Sequence, residues 1–221
     1  MEGAMENKHL FDTLNADTQL TVFERILSYS VGDKSTECIE RLVERYGSFS
    51  TVLSAREDEL CTFGDMSRNA ALLIKLVAYL NSRRKTDAFK LGVHHTELEL
   101  REYIAALFLG SSVESVYALL LDDEGRVQSV QHISDGTVNS SDVVPRKILE
   151  CARRARSTKI ILAHNHPKGS VAPSKDDMMT TGRLFTLFAS VGVRLMAHYI
   201  VADGEVGVID SEMLYNPEYR G

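Results

Sequence analysis

The sequence predicts an α+β protein in which a small all-helical region precedes a part of mixed helices and strands. Apolar residues recur at helical spacing through about the first ninety of the 221 residues. Beyond Val93, short apolar runs bounded by turn residues alternate with helical patterns. The composition, 44% hydrophobic and 25% charged, is that of a globular chain with enough apolar material for a core.

The N-terminal region contains three clear helical patterns. They lie at residues 20–29, 35–46 and 67–82. Gly47 is the expected C-cap of the second pattern, and Ser67 is the expected N-cap of the third. The basic cluster 83–85 follows the third pattern and suits a helix C-terminus electrostatically. We therefore predict a helical domain over residues 1–92.

The sequence of the C-terminal part predicts both helices and strands, and we expect a domain over residues 99–221. Helices are expected at 97–109, 144–155 and 174–190, and strands at 115–121, 126–132, 159–163, 193–202 and 205–209. The turn residues 122–125, Asp-Asp-Glu-Gly, predict that the first two strands form a hairpin.

Charge, hydropathy and cysteine usage exclude several classes of protein. The net charge of −6 disfavours strong non-specific nucleic-acid binding, because such binding depends on neutralising phosphates. No apolar run is long enough to span a bilayer, and residues 1–12 lack the apolar segment of a secretion signal. Cys38, Cys61 and Cys151 form no Cys-x-x-Cys pair, so neither a disulfide framework nor a cysteine zinc site is indicated. We expect a cytoplasmic protein without a membrane partner.

The segment HNHPKGSVAPSKDD, residues 164–177, carries the candidate chemistry. His164 and His166 follow the strand predicted at 159–163, and residues two apart in an extended chain point to the same face. Pro167 and Gly169 turn the chain, so that Asp177, in the first turn of the next helix, can fold back as a third ligand. Two neutral imidazoles and a carboxylate suit Zn²⁺, and three protein ligands leave a position for water, as catalytic sites do.

Each of these residues also has a simpler interpretation. A single histidine near a strand end is more often a hydrogen-bonded residue than a metal ligand. The spacing of Ser174 and Asp177 fits a capping box, and taken singly these two residues are more typical of a helix cap than of catalysis. Glu114, taken alone, is an ordinary polar residue at the exposed start of a strand.

The joint pattern resembles the JAMM motif of the JAB/MPN metalloproteases. It consists of His164-x-His166-Pro167, then Ser174, two further residues and Asp177. Glu114 stands where that family carries a glutamate ahead of a buried strand. Three further segments, 136–141 (GTVNSS), 145–146 and 160–167, resemble the RadC branch of the family, and the likeness covers residues 99–221. The helical N-terminal part is similar more loosely to the RadC N-terminal region.

The resemblance implies a fold, a cofactor and an activity. The fold would be a mixed, curved β-sheet flanked by helices, cytidine-deaminase-like, with zinc at the edge of the sheet. His164, His166 and Asp177 would bind one Zn²⁺ per chain. Glu114 would accept a proton from the zinc-bound water, and Ser174 would donate a hydrogen bond to the oxyanion. The implied activity is that of a zinc metallopeptidase that hydrolyses a peptide or isopeptide bond, with a peptide or a protein conjugate as substrate.

Two positions depart from the family pattern. Lys168 stands where the family usually carries serine, and it either favours an anionic group of the substrate or lies in solvent. Ala197-His198 stands where family members commonly show Asp-His. His198 is therefore either a residue that supports a metal ligand or a core histidine with satisfied hydrogen bonds.

The helical region has a counterpart of the family's helix–hairpin–helix, at residues 63–67 (FGDMS). Met66 replaces the second glycine of Gly-x-Gly, and Asp65 adds negative charge where a phosphate would approach. We therefore expect no strong nucleic-acid binding and interpret this region as a packing or partner-binding module. The alternative to an enzyme is a non-catalytic module of the same fold, involved in DNA repair, recombination or protein assembly. The presence of all five expected site residues favours the enzyme.

Overall fold

The computed structural model describes residues 28, 31–136, 143–167 and 169–209. The chain divides into two compact units, Met1–Val77 and Ala78–Gly221. After a short 3₁₀ turn, Gly32–Lys34, the first unit contains α1 (Ser35–Tyr46), α2 (Phe49–Ser54), α3 (Glu57–Gly64) and the beginning of α4 (Arg68–Ala88). The helix expected at residues 20–29 lies outside the described residues except for residue 28. Within the described ranges, no helix combines the length and the apolar character that crossing a bilayer requires.

The caps of these helices agree with the sequence analysis, but the end of α4 does not. Gly47 ends α1 with φ of 80°, and the Ser67 hydroxyl accepts a hydrogen bond from the Ala70 backbone, both as predicted. Helix α4 continues to Ala88, so the prediction that the basic cluster 83–85 follows the helix was wrong. No glycine or proline interrupts residues 82–88, and an ion pair of 3.0 Å joins Arg83 to Asp87 one turn later.

The turn between α3 and α4 is held by packing and by charge. Asp65 ends α3 in the left-handed conformation, with φ of 49°, and its carboxylate lies 3.8 Å from the Arg41 guanidinium. The Met66 side chain is buried and packs so closely on Gly64 that a Cβ added there would lie 2.8 Å from Met66 Cε. The residue that replaces the second glycine is therefore part of the core of this unit.

The second unit is built on a five-stranded sheet with the order β2-β1-β3-β4-β5. The strands are β1 (Ser115–Leu121), β2 (Val127–Asp135), β3 (Lys159–Asn165), β4 (Arg194–Ala202) and β5 (Glu205–Ile209). Helix α5 (Glu97–Phe108) precedes the sheet, α6 (Val143–Ala155) connects β2 to β3, and α7 (Lys175–Ser190) connects β3 to β4. Only β3 and β4 pair in parallel; the other neighbours pair antiparallel. The predicted α+β class, with a mixed sheet flanked by helices, is confirmed.

Alternate residues of the strands form a core on each face of the sheet. On one face, Ile160 and Leu162 of β3 pack in one cluster with Ile148 of α6 and Phe188 of α7. On the other face the cluster is formed with α5 and includes residues such as Ile104, Leu119, Ile161, Ala163 and Tyr199. Because side chains alternate along a strand, His164, which is two positions after Leu162, points to the same face and towards α7.

Strand β3 is longer than its apolar run predicts. The sequence analysis ended this strand at residue 163 and placed His164 directly after it, which was wrong. His164 pairs with Val116 of β1 and with Ile200 of β4, and Asn165 pairs with Val201. Because β3 is hydrogen-bonded to β1 on one side and to β4 on the other, it continues through these polar residues as far as that pairing extends.

Candidate metal centre

The three predicted ligands meet at the carboxyl end of β3. His164 is buried within the strand, His166 follows the strand by one residue, and Asp177 lies in the first turn of α7. The two Nε2 atoms of the histidines are 2.9 Å apart. Asp177 Oδ1 lies 3.2 Å from His164 Nε2, and Asp177 Oδ2 lies 3.5 Å from His166 Nε2.

The loop between β3 and α7 returns the chain to the strand by close backbone packing. The His166 backbone N–H donates to the Val201 carbonyl at 2.8 Å, and the Gly169 N–H donates to the His166 carbonyl at 3.2 Å. A Cβ added at Gly207 of β5 would lie 2.6 Å from the Val171 carbonyl oxygen. Glycine at position 207 therefore lets the loop lie directly on β5, which brings the start of α7 back to the two histidines.

Asp177 is held by a capping box at the start of α7. The Asp177 backbone N–H donates to Ser174 Oγ at 3.1 Å, while the Ser174 N–H and hydroxyl donate to Asp177 Oδ2 at 2.9 and 2.5 Å. Burial opposes ionisation of this carboxyl, but the adjacent His164 ring and the hydrogen bonds from Ser174 outweigh it and hold the pKa of Asp177 well below its ordinary value. Asp177 is therefore a carboxylate, with Oδ1 beside His164 and Oδ2 beside His166.

The orientation of His166 is set by the loop. His166 Nδ1 lies 2.7 Å from the Ser170 carbonyl oxygen, which can only accept a hydrogen bond. Nδ1 therefore carries a proton, so Nε2 is the ring nitrogen that is available to bind a metal, and it faces His164 and Asp177.

Glu114 lies beside the histidines, immediately before β1. Its side chain is half-buried, and one carboxylate oxygen lies within 4.8 Å of ligand nitrogens of both His164 and His166. Its backbone carbonyl accepts a hydrogen bond of 2.7 Å from the Gly136 N–H. The structure thus brings together the four residues Glu114, His164, His166 and Asp177, with Ser174 hydrogen-bonded to the last.

Asn165 connects Glu114 to the histidine strand, and the sequence analysis did not identify it. Its Oδ1 accepts from the Ser115 N–H at 2.8 Å, and its Nδ2 donates to the Val113 carbonyl at 3.1 Å. The side chain is buried and bridges the two residues that flank Glu114. The available signal was its position between two candidate ligands in an extended segment, because its side chain must then point to the opposite face.

A second group of buried polar side chains lies behind His164. His198 of β4 is fully buried, and its Nε2 lies 2.8 Å from His164 Nδ1. Its Nδ1 lies 2.7 Å from the hydroxyl oxygen of Thr181, which is one turn after Asp177 on α7. Burial, reinforced by the neighbouring His164, lowers the pKa of His198 well below its ordinary value, so the ring is neutral. The sequence analysis named His198 with two alternative roles and did not identify Thr181.

Two further features of the sequence analysis have no structural description. Lys168 and residues 137–142, which include most of the GTVNSS segment, lie outside the described residues.

A mixed sheet whose central strand carries two imidazoles at its carboxyl end, faced by a carboxylate from the following helix, is the arrangement that the resemblance to the JAB/MPN class implies. Comparison with known proteins agrees with this class, because the model of the RadC-like JAB domain matches residues 95–212. The chain belongs to this family, as its resemblance to RadC predicted.

Curated relatives cover most of the chain. A UPF0758 protein of Vibrio atlanticus is 30% identical over 200 residues, which are 88% of this chain and 87% of the relative. UPF0758 protein VP0184 of Vibrio parahaemolyticus is 29% identical over 76% of each chain, and UPF0758 protein PBPRA0202 of Photobacterium profundum is 28% identical over 79% of each. The similarity therefore extends into the helical N-terminal region.

Proposed function

We propose that this protein is a zinc-dependent hydrolase of the JAMM type that cleaves a peptide or isopeptide bond. One observation carries the proposal: the Nε2 atoms of His164 and His166 lie 2.9 Å apart, and the two carboxylate oxygens of Asp177 lie 3.2 Å from the first and 3.5 Å from the second. Family membership supplies the fold in which this arrangement occurs.

The residues fit a zinc ion by the chemistry of their ligand atoms. His166 directs a lone pair into the cluster because its proton is used by the Ser170 carbonyl. Asp177 is ionised and presents Oδ1 to the same space. Two imidazole nitrogens and one carboxylate form a common zinc ligand set and leave a fourth coordination position open. When bound, Zn²⁺ acts as a Lewis acid that polarises a carbonyl and lowers the pKa of water to about 7.

Glu114 supplies the proton transfers in this proposal. Its carboxylate is within 4.8 Å of the ligand nitrogens, and its half-buried side chain remains in contact with the solvent from which water and substrate arrive. Glu114 takes a proton from the attacking water and delivers it to the leaving amine. The Asn165 bridge holds the residues on both sides of Glu114, which fixes the carboxylate relative to the histidines.

Ser174 is proposed to stabilise the oxyanion that forms on the substrate carbonyl. Its hydroxyl donates to Asp177 Oδ2, and its backbone N–H donates to the same oxygen. Turning the hydroxyl towards an oxyanion leaves the backbone hydrogen bond in place, so the position of Asp177 is kept. A single fixed donor to an oxyanion is typically worth about 3 kcal/mol of transition-state stabilisation.

Metal analysis and a substrate trap test the proposal together. We expect about one zinc per chain in the wild type and in Glu114→Gln, and little zinc in His164→Ala and Asp177→Ala. Glu114→Gln, which keeps the size of the side chain, should retain bound peptides or protein conjugates that the wild type releases cleaved. Equal zinc content in all four proteins would contradict the metal site, and a fully active Glu114→Gln variant would remove Glu114 from the mechanism.

A further inference from the structure

A continuous chain of hydrogen bonds runs behind the candidate metal centre. It begins at the Asp177 backbone carbonyl, which lies 2.6 Å from the Thr181 hydroxyl. The Thr181 hydroxyl oxygen lies 2.7 Å from His198 Nδ1, and His198 Nε2 lies 2.8 Å from His164 Nδ1. His164, Thr181 and His198 are each at most 1% exposed, so water does not compete for these contacts.

The direction of the first hydrogen bond is fixed by its acceptor. The Asp177 carbonyl oxygen has no proton to give, so the Thr181 hydroxyl donates its single proton to that oxygen. The hydroxyl oxygen can then only accept from His198, which places a proton on His198 Nδ1.

The remaining hydrogen bond follows from the position of His164. Its Nε2 faces His166 and Asp177 and is the atom that would bind zinc, so a ring that binds zinc has its proton on Nδ1. His164 Nδ1 then donates to His198 Nε2, which is free to accept because the proton of His198 lies on Nδ1.

We propose that Thr181 and His198 are positioning residues that fix the ring orientation and the tautomer of His164. This inference rests on the proposed function in that the lone pair at His164 Nε2 is presented to the metal. The hydrogen bonds start at the backbone of Asp177 and end at a ring 3.2 Å from its carboxylate, so they link β3, β4 and α7 in one closed circuit. The circuit aligns two ligands that come from different elements.

The first test is the tautomer of His198 in the metal-free protein, read from long-range ¹H–¹⁵N NMR correlations of the imidazole ring. In the wild type we expect the proton on Nδ1, which faces the Thr181 hydroxyl oxygen. Thr181→Val keeps the shape but removes the acceptor for His198 Nδ1–H, so it should shift His198 towards the form with its proton on Nε2. Thr181→Ser keeps the hydroxyl and should restore the wild-type pattern.

The second test is zinc affinity, measured by competition with a chromogenic chelator. Thr181→Val and His198→Leu should weaken zinc binding roughly 10- to 100-fold, the usual effect of removing such a supporting group, whereas Thr181→Ser should stay close to the wild type. Thr180→Val is the matched control. Thr180 is the buried neighbour of Thr181 on α7, and its hydroxyl makes no hydrogen bond to the residues that the structure describes.

The outcomes separate this inference from the proposed function. Wild-type His198 with its proton on Nε2, or a Thr181→Val variant with unchanged tautomer and unchanged zinc affinity, would overturn the inference. An equal loss of affinity in Thr181→Val and Thr180→Val would also overturn it, because the effect would then be one of packing. A wild type that has the expected tautomer but binds no zinc would contradict the proposed function and leave the positioning role supported.

Discussion

Two helices of the second unit begin with the same capping box, yet only one of the boxes belongs to the candidate site. At the start of α5, the Glu99 N–H donates to Thr96 Oγ1 at 3.2 Å, while the Thr96 N–H and hydroxyl donate to Glu99 Oε2 at 2.8 and 3.0 Å. At the start of α7, Ser174 and Asp177 make the same three hydrogen bonds. In both boxes the hydrogen bonds from the capping residue lower the pKa of the carboxyl.

The two boxes differ in what surrounds the carboxylate. Glu99 is exposed, and Nδ1 of His95 lies 3.8 Å from its carboxylate, while Nε2 of His95 is hydrogen-bonded to the Lys90 carbonyl. Asp177 is 8% exposed, and both His164 and His166 direct Nε2 towards it. The capping box therefore fixes the position of the carboxylate. The groups that face the carboxylate oxygens determine whether it only caps the helix or can also bind a metal.

Paired substitutions of the two carboxylates give the largest expected difference. Asp177→Asn removes the charge from the candidate ligand set while keeping its shape, and we expect zinc affinity to fall by roughly 100-fold or more. Glu99→Gln makes the same chemical change in the exposed box and should leave zinc affinity unchanged. Isothermal titration of metal-free protein with zinc measures both. Similar losses in the two variants would show that the environment of Asp177 has no special effect.

A second prediction concerns stabilisation by bound metal. At a free zinc concentration of about 100 times the dissociation constant, binding adds about 2.7 kcal/mol to the free energy of unfolding. Removing zinc with a chelator should lower the thermal midpoint of the wild type and of Glu99→Gln, but not that of Asp177→Asn. A chelator effect that persists in Asp177→Asn would place the stabilising metal at another site.

The smallest expected effects come from the capping residues themselves. In metal-free protein, Thr96→Ala and Ser174→Ala should each lower the free energy of unfolding by about 1 kcal/mol, because each removes one N-cap hydrogen bond. Urea denaturation measures both values. A loss at Ser174 that clearly exceeds the loss at Thr96 would mean that the second box contributes to stability beyond capping its helix.

The elements that the sequence predicted correctly are those with both ends marked. Strands β1 and β5 and helix α1 have the predicted bounds, because a turn or a cap flanks each apolar pattern. The end of β3 was missed because His164 and Asn165 are polar, whereas their pairing with β1 and β4 depends on residues far away in the chain. Local signals could not show that pairing.

The residues of the candidate site also divide into those that local sequence signals indicated and those that they did not. His164, His166 and Asp177 lie within one segment of 14 residues, so their spacing indicated a common site, and the structure brings them together. Asn165 and Thr181 act through Ser115 and His198, which are 50 and 17 residues distant from them. Their roles depend on the register of the strands, which the sequence does not specify.

The amide of Asn165 has a consequence for how this domain tolerates change. The Asn165 side chain is hydrogen-bonded to the residues on both sides of Glu114, so it sets the distance between Glu114 and the histidines independently of the loop that leads into β1. Insertions or deletions in that loop should be absorbed before they reach Glu114. A shift of one residue in the pairing of β1 with β3, in contrast, would move Glu114 away from the histidines even if all of these residues were retained.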